Sequence, residues 1–174
     1  MSAVSEFTIA PATPGDIPLI LAFITELAAY EQLSHEVEAT EPQLHEALFG
    51  SAPVAHAIIA RDQSGTPAGF ALFFYNFSTF TGRPGLFMED LFVRPEFRQR
   101  GLGRQLISHL ARVAVGRGCA RMEWSVLNWN ETALRVYRAI GAQPMDEWTV
   151  QRLTGEALER LAATAESRIA GSNC

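Results

Sequence analysis

Apolar positions along this chain follow two rhythms: one recurs every three or four residues, and one is continuous or alternating between turn signals. After Thr13-Pro14-Gly15-Asp16, residues Ile17, Ile20, Leu21, Ile24, Leu27 and Ala28 recur at helical spacing, predicting a first helix to about Ala29 or Tyr30. A second, short helix is predicted from Thr40, which has capping-box spacing to Gln43 and a stop at Gly50. Leu102, Leu106, Ile107, Leu110, Val113 and Ala114 mark a third, closed by Gly116 and Gly118. Asn130 is a good N-cap for a fourth, "ETALRVYRAI", which Gly141 ends, and a last helix begins near Gly155.

The strand rhythm fills the gaps. "EFTIAPA" (6–12) predicts an edge strand, and "VAHAIIA" (54–60) and "AGFALFFYNF" (68–77) predict a hairpin turning through "RDQSGTP". "LFMEDLFV" (86–93), "ARMEWSVL" (120–127) and "EWTVQRL" (147–153) predict three more strands. Helices interleaved with runs of strands imply an α/β (α+β) domain with a mixed sheet.

Composition narrows the class without changing that picture. The chain has 174 residues, 48% hydrophobic, which suits one domain around a single core. Its net charge of −5 disfavours nucleic acid, although Arg94, Arg98, Arg100 and Arg104 form a local cluster that could bind a small anion. Cys119 and Cys174 are too few for a disulfide framework and fit a reducing compartment, with cytoplasm the expectation. Cys119, with no histidine beside it, reads as a buried structural thiol. The start "MSAVSEFTIA" carries no leader pattern and no window reaches about 20 apolar residues, so no membrane association is expected. His35, His45, His56 and His109 lack ligand spacing, so no metal site is expected; Trp124, Trp129 and Trp148 are expected to fill core and interface.

The candidate chemistry sits in "FRQRGLGRQL" (97–106). Strand, glycine loop and helix make the arrangement in which backbone amides and the positive helix end converge on an anion. Gly101 and Gly103 would let the backbone approach it closely, and flanking arginines add charge-assisted bonds. No Gly-Lys-Ser/Thr follows, and Leu106 stands where the dinucleotide fingerprint needs a glycine. The pyrophosphate of another cofactor is left, beside the plainer reading of a surface loop with solvated arginines.

Two segments carry a family likeness. "VRPEFRQRGLGRQLI" resembles the R-x-x-G-x-G segment of the GCN5-related N-acetyltransferases, and "NETALRVYRAIGAQ" resembles their N-x-x-A-x-x-x-Y-x-x-x-G-A segment, in the same order. "ELAAYEQL", "FMEDLFV" and "VLNWNETALRVYRAIGA" extend the resemblance to the spermidine/spermine and thialysine N-acetyltransferase group. "NFSTFTGRPGLFMED" is similar to the thialysine branch; Ser78 and Thr79 stand where the spermidine enzymes carry an acidic residue, a departure that bears on polyamine preference.

The resemblance implies a single acetyltransferase domain, its core about 6–165, with a mostly antiparallel central sheet splayed between its two central strands. It implies acetyl-CoA as cofactor, with CoA as product. Leu91, Phe92 and Val93 would line the acetyl-pantetheine arm, and Arg98, Gln99, Arg100, Gly101, Leu102, Gly103 and Arg104 would hold the pyrophosphate. Asn130, Glu131, Thr132 and Ala133 match the second CoA-contacting segment, and Tyr137 the catalytic tyrosine. Tyr30, Glu31 and Glu89 match positions that hold the amine, with Glu123, Trp124 and Ser125 as weaker candidates. A homodimer sharing the surface near Glu31 and the C-terminal strand is implied as well.

These residues suit amide formation from a thioester. A lysine-like amine, pKa about 10.4, is neutral in only about one molecule in a few thousand at pH 7, so its deprotonation needs help. Glu31, Glu89 and Asp90 would attract a cation, but a carboxylate touching the reacting nitrogen raises its pKa and opposes attack. They therefore suit gripping a distal charge or passing a proton through water. A backbone amide near Leu91 would polarise the carbonyl if the strand is splayed from its neighbour. Tyr137, two helical turns after Asn130, could protonate the departing thiolate; taken alone it also reads as a buried tyrosine on an amphipathic helix. Glu89 and Asp90, adjacent in a strand, should face opposite ways, leaving Asp90 a solvated or dimer-facing charge. A protein lysine or N-terminus as acceptor, and a CoA-binding sensor without turnover, are the rival functions.

Overall fold

The computed structural model describes residues 6–170, so the first five residues of the opening segment and Cys174 lie outside the described residues. Two compact units divide the chain, residues 1–131 and 132–174, and each is described by itself.

The first unit is built on a five-stranded sheet in the order β1 (Phe7–Pro11), β2 (His56–Asp62), β3 (Pro67–Ser78), β4 (Arg83–Val93), β5 (Met122–Trp124). All neighbours are antiparallel except β4 and β5, which run parallel. Ala57 to Ala60 of β2 are buried in succession, which requires cover on both faces. Helix α1 (Ile17–Tyr30) and helix α2 (Glu41–Phe49) supply one cover: Ile17, Ile20, Phe23 and Leu48 cluster with Ala57, Ile59, Phe70 and Phe92. Phe23 stacks flat on Phe70 at 5.1 Å and meets Phe92 edge-on at 6.4 Å. Helix α3 (Leu102–Gly116) covers the other face with the fully buried Leu102, Leu106 and Leu110.

Local signals explain where the helices start and stop. Thr40 Oγ1 and Thr40 N both meet Gln43 Oε1, at 2.7 and 2.9 Å, closing the capping box ahead of α2. Helix α3 begins at Gly101, whose φ of 76° is open only to glycine at little strain, and ends before Gly118, φ 74°.

Two features of the sheet depart from simple alternation. Leu72 pairs with Asp90 but Phe73 with Met88, so Glu89 is an extra residue, a β-bulge in β4. The bulge reverses the strand's alternation: Phe92 belongs to the cluster beneath α1, whereas the equally buried Met88, an even number of residues away, does not. The β4–β5 ladder holds only Leu86↔Met122 to Met88↔Trp124, so β4 runs on to Val93 with no ladder on that side. This is the splay that the family likeness implied.

In the second unit, helix α4 (Glu131–Ala139) ends through Ala142 N donating to Tyr137 O at 3.0 Å, with Gly141 at φ 86°. Helix α5 (Gly155–Ala170) carries an Arg160–Glu156 pair one turn apart, at 3.0 Å.

Several expectations need correction. Residues 147–153 form no strand: among the described residues nothing pairs with them, and Trp148 and Val150, which suggested alternation, are exposed. The strand expected over 120–127 shrinks to Met122–Trp124, because it pairs only as far as β4 stays beside it. Cys119 consequently sits in the turn before β5 and is only half-buried. Trp129 and Trp148 are exposed rather than filling a core. No helix among the described residues is long and apolar enough to cross a membrane.

Candidate active site

The turn between β4 and α3 is a chain of unusual backbone conformations held by the side chains around it. Gln99 has φ 62° and Gly101 φ 76°, and the first bond of α3 runs from Gln105 N to Gly101 O at 3.1 Å. The amides of Leu102, Gly103 and Arg104, in the first turn, therefore have no intrahelical acceptor. A Cβ built on Gly101 or Gly103 would meet no atom within 4 Å, so each hydrogen faces open space rather than protein. Donors, dipole and clearance together fit a bound diphosphate.

The arginines near the turn divide into structural and available ones. Arg94 forms a bidentate pair with Glu26 of α1, Nε to Oε2 at 2.9 Å and Nη2 to Oε1 at 2.7 Å. Arg98 donates from Nε to Val93 O at 2.9 Å, and its guanidinium lies over the Tyr30 ring at 4.7 Å. Arg100 pairs with Glu6 and lies over Phe7 and Phe97. Of the four arginines, Arg94 and Arg100 are thus held by carboxylates and Arg98 by a backbone carbonyl. Only Arg104 keeps its side chain unengaged among the described residues.

A cluster of carboxylates stands at the other end of the splayed strand. The bulge turns Asp90 toward the α1 side of the sheet, where Glu31 caps the end of α1. Burial, reinforced by the charges of Glu89 and Glu31, pushes the Asp90 carboxyl up to about 6. Burial also raises Glu31. Asp90 is thus not a solvated charge, one of the two places that strict alternation left for it. The sequence hid it because a bulge has no residue signature in "FMEDLFV" and depends on register with β3.

Tyr30 links the turn with the loop ahead of α4. Its hydroxyl lies 3.5 Å from Asn130 Oδ1, its ring tilts against Trp129 at 5.9 Å, and its other neighbour is Arg98. Trp129 was missed as a member of this group; its place next to Asn130 in the sequence was its only signal. Glu123, a candidate for the amine, is engaged at Oε2 by Arg121 Nε at 2.8 Å and Asn76 Nδ2 at 3.3 Å. Trp124 ends the β4–β5 ladder, with exposed Ser125 just beyond it. Leu91 and Val93 are half-buried on the unladdered stretch of β4, and Phe92 is buried under α1. Glu131 and Thr132 are exposed at the start of α4; Ala133 and Tyr137 are half-buried on that helix.

Comparison with known proteins agrees with this architecture. A sequence model of the acetyltransferase (GNAT) family matches residues 22–142. A thialysine N-epsilon-acetyltransferase of Bos taurus is 38% identical, over 87% of this chain and 94% of that protein. An L-ornithine N5-acetyltransferase of Arabidopsis thaliana is 32% identical, over 86% of this chain and 85% of its own length. Among solved structures, an integron cassette protein from V. cholerae superposes with a TM-score of 0.75 at 28% identity, covering 91% of this chain and 99% of its own.

Proposed function

The chain belongs to the acetyltransferase (GNAT) family, and we propose that it moves the acetyl group of acetyl-CoA to a primary amine of a small dibasic acceptor such as a thialysine-like amino acid or a diamine. The observation that carries this reading is Asp90, turned by the bulge toward the α1 side of the splayed strand and within electrostatic reach of Glu31 and Glu89. Such a cluster favours a cation over a neutral or acidic acceptor. The named relatives act on thialysine and ornithine, which carry amino groups at both ends.

Acetyl-CoA supplies a thioester carbonyl. The amides at the start of α3, with the clearance at Gly101 and Gly103, would hold its diphosphate. The unladdered edge of β4 from Glu89 to Val93 offers backbone groups to the pantetheine arm and one donor to the carbonyl oxygen. With its carboxyl pushed up to about 6, Asp90 can take up and release a proton near pH 7, while Glu31 and Glu89 hold the distal ammonium. The ammonium gives one proton to Asp90, the neutral nitrogen attacks the carbonyl carbon, the C–S bond breaks as Tyr137 gives its proton to the departing sulfur, and the proton that the new amide nitrogen sheds returns to the Tyr137 phenolate. A homodimer belongs to the same proposal and rests on likeness to this group of enzymes.

The test is a panel of acceptors with thiol release followed colorimetrically: thialysine, ornithine, lysine, putrescine, spermidine, a lysine-containing peptide and glycine. The reading expects turnover with the dibasic small molecules and little with the peptide or glycine. Preference for the peptide would move the function to protein acetylation. Thiol release with none of them would leave a cofactor-binding protein.

A further inference from the structure

Trp129 is a large ring that the fold fixes without burying: it is 52% exposed. A tryptophan alone on a surface needs no explanation, but this one is held on two sides. Asn130 N donates to Leu127 O at 2.9 Å, closing a tight turn with Trp129 inside it. The indole meets the Tyr30 ring at 5.9 Å and 53°, while the Tyr30 hydroxyl lies 3.5 Å from Asn130 Oδ1. Tyr30 is the last residue of α1, and Glu31, whose charge acts on Asp90, follows it. An exposed aromatic ring and a group of carboxylates therefore share one end of α1.

The two rings differ in what already covers them. The guanidinium of Arg98 lies over Tyr30 at 4.7 Å, so a second cation on that face would meet a positive charge. Among the described residues no arginine lies over Trp129. The sequence contains no lysine, so neither this ring nor the carboxylates can be filled by an ammonium side chain of the protein's own. Indole is the best of the aromatic faces for a cation, and it also offers apolar contact to the methylenes beside the nitrogen. Carboxylates attract any cation; a ring beside them selects one carried on an alkyl chain.

We propose that Trp129 is a specificity-determining residue for the acceptor, its indole face lying against the ammonium and adjoining methylenes at the non-reacting end of a dibasic amine whose charge Glu31 attracts. The inference rests on the acetyltransferase reading above and deepens it, because it names what distinguishes an accepted amine from charge alone.

Calorimetry on the full chain with CoA bound, which blocks turnover, tests it, with thialysine, ornithine and putrescine titrated in parallel. For each amine that the wild type binds, Trp129→Leu should weaken binding about tenfold and Trp129→Phe about threefold. Acetyl-CoA affinity should stay within twofold in both, and circular dichroism checks that both are folded. A merely structural ring is separated by fluorination, which drains the ring face and hardly changes its shape. Protein made with 5-fluorotryptophan and then with a difluorotryptophan should bind the amine stepwise more weakly, and the same labels in Trp129→Phe should have no effect. If the variants bind the amine as the wild type does, or fluorination leaves its affinity unchanged, the ring does not hold the ammonium and the acetyltransferase reading stands. If the variants weaken acetyl-CoA instead, Trp129 serves the cofactor and the assignment is overturned. If the wild type binds none of the three amines, the small dibasic acceptor itself fails and this role for Trp129 fails with it.

Discussion

The guanidinium of Arg98 lies 4.7 Å above the Tyr30 ring while its Nε holds the carbonyl of Val93. One side chain thereby ties the last residue of β4, the start of the glycine turn and the end of α1 into a single piece. The residue after Tyr30 is Glu31, so whatever fixes the turn also fixes one wall of the carboxylate cluster.

Arg98→Ala removes both the stack and the hydrogen bond, and we expect the KM for acetyl-CoA to rise about tenfold. Tyr30→Phe keeps the ring under the guanidinium and loses only the 3.5 Å contact to Asn130, so its KM should stay within about twofold. Arg98→Lys should resemble the alanine variant more than the wild type, because an ammonium lacks the planar face that stacks. Steady-state kinetics with the cofactor varied at saturating amine distinguishes these outcomes; equal effects of Tyr30→Phe and Arg98→Ala would show that the stack is not what matters.

The two glycines of the turn should fail differently when changed to alanine. Gly101 has a positive φ, so Gly101→Ala strains the backbone by about 1–2 kcal/mol and lowers Tm as well as cofactor affinity. Gly103 lies in the first turn of α3 without such a constraint, so Gly103→Ala should leave Tm unchanged or slightly raised. Its new methyl would nonetheless stand in the clearance left for the diphosphate and weaken acetyl-CoA binding. Thermal melts alongside calorimetry give both numbers. A Gly103→Ala variant that binds acetyl-CoA normally would place the anion elsewhere.

Asp90 sets a pH dependence whose sign can be worked out. With a carboxyl at about 6, Asp90 is ionised in about nine molecules in ten at pH 7, and it loses its charge as pH falls through that value. The kcat/KM for a dibasic amine should therefore fall on the acid side with a limb near pH 6, and a bound ammonium should move the limb of kcat lower. Asp90→Asn should abolish that limb. Stability runs the other way. A carboxyl raised above its unfolded value of 3.8 favours the native state when protonated, so the native state loses stability as pH rises from about 4 through 6. Asp90→Asn should consequently stabilise the protein at pH 7.5, by at most about 3 kcal/mol, and make little difference at pH 3.5. Denaturant melts at the two pH values provide the comparison.

The contrast between what these residues announce and what they conceal follows from range along the chain. The helix starts at Thr40 and Gly101 were legible because a cap is settled within a few residues, as were the β2–β3 hairpin and the paired motifs that carried the family likeness. Asp90 was misjudged because the alternation rule presumes an unbroken ladder, and the bulge at Glu89 exists only relative to Leu72 and Phe73. The arginines near the turn looked like one cluster because their partners are remote: Glu26 takes Arg94 and Glu6 takes Arg100. The stretch 147–153 had the alternation of a strand but no partner among the described residues, and alternation without a ladder makes no strand.

Tyr137 is the residue whose proposed role can be isolated most sharply from binding. Its phenol is the only group in the proposal asked to deliver a proton to sulfur, so Tyr137→Phe should lower kcat by about 10²–10⁴ while the Kd for acetyl-CoA stays put. A loss of that size could also come from a shifted helix, since Tyr137 O accepts from Ala142 N at the end of α4, but phenylalanine keeps that backbone bond and the ring. Leaving-group dependence separates the two causes. An acetyl thioester of a more acidic thiol needs less help in expelling sulfur, so the gap between wild type and Tyr137→Phe should narrow with such a donor if the phenol acts as acid. A gap that stays constant across donors of different thiol pKa would make Tyr137 a packing residue and leave protonation of the thiolate to water.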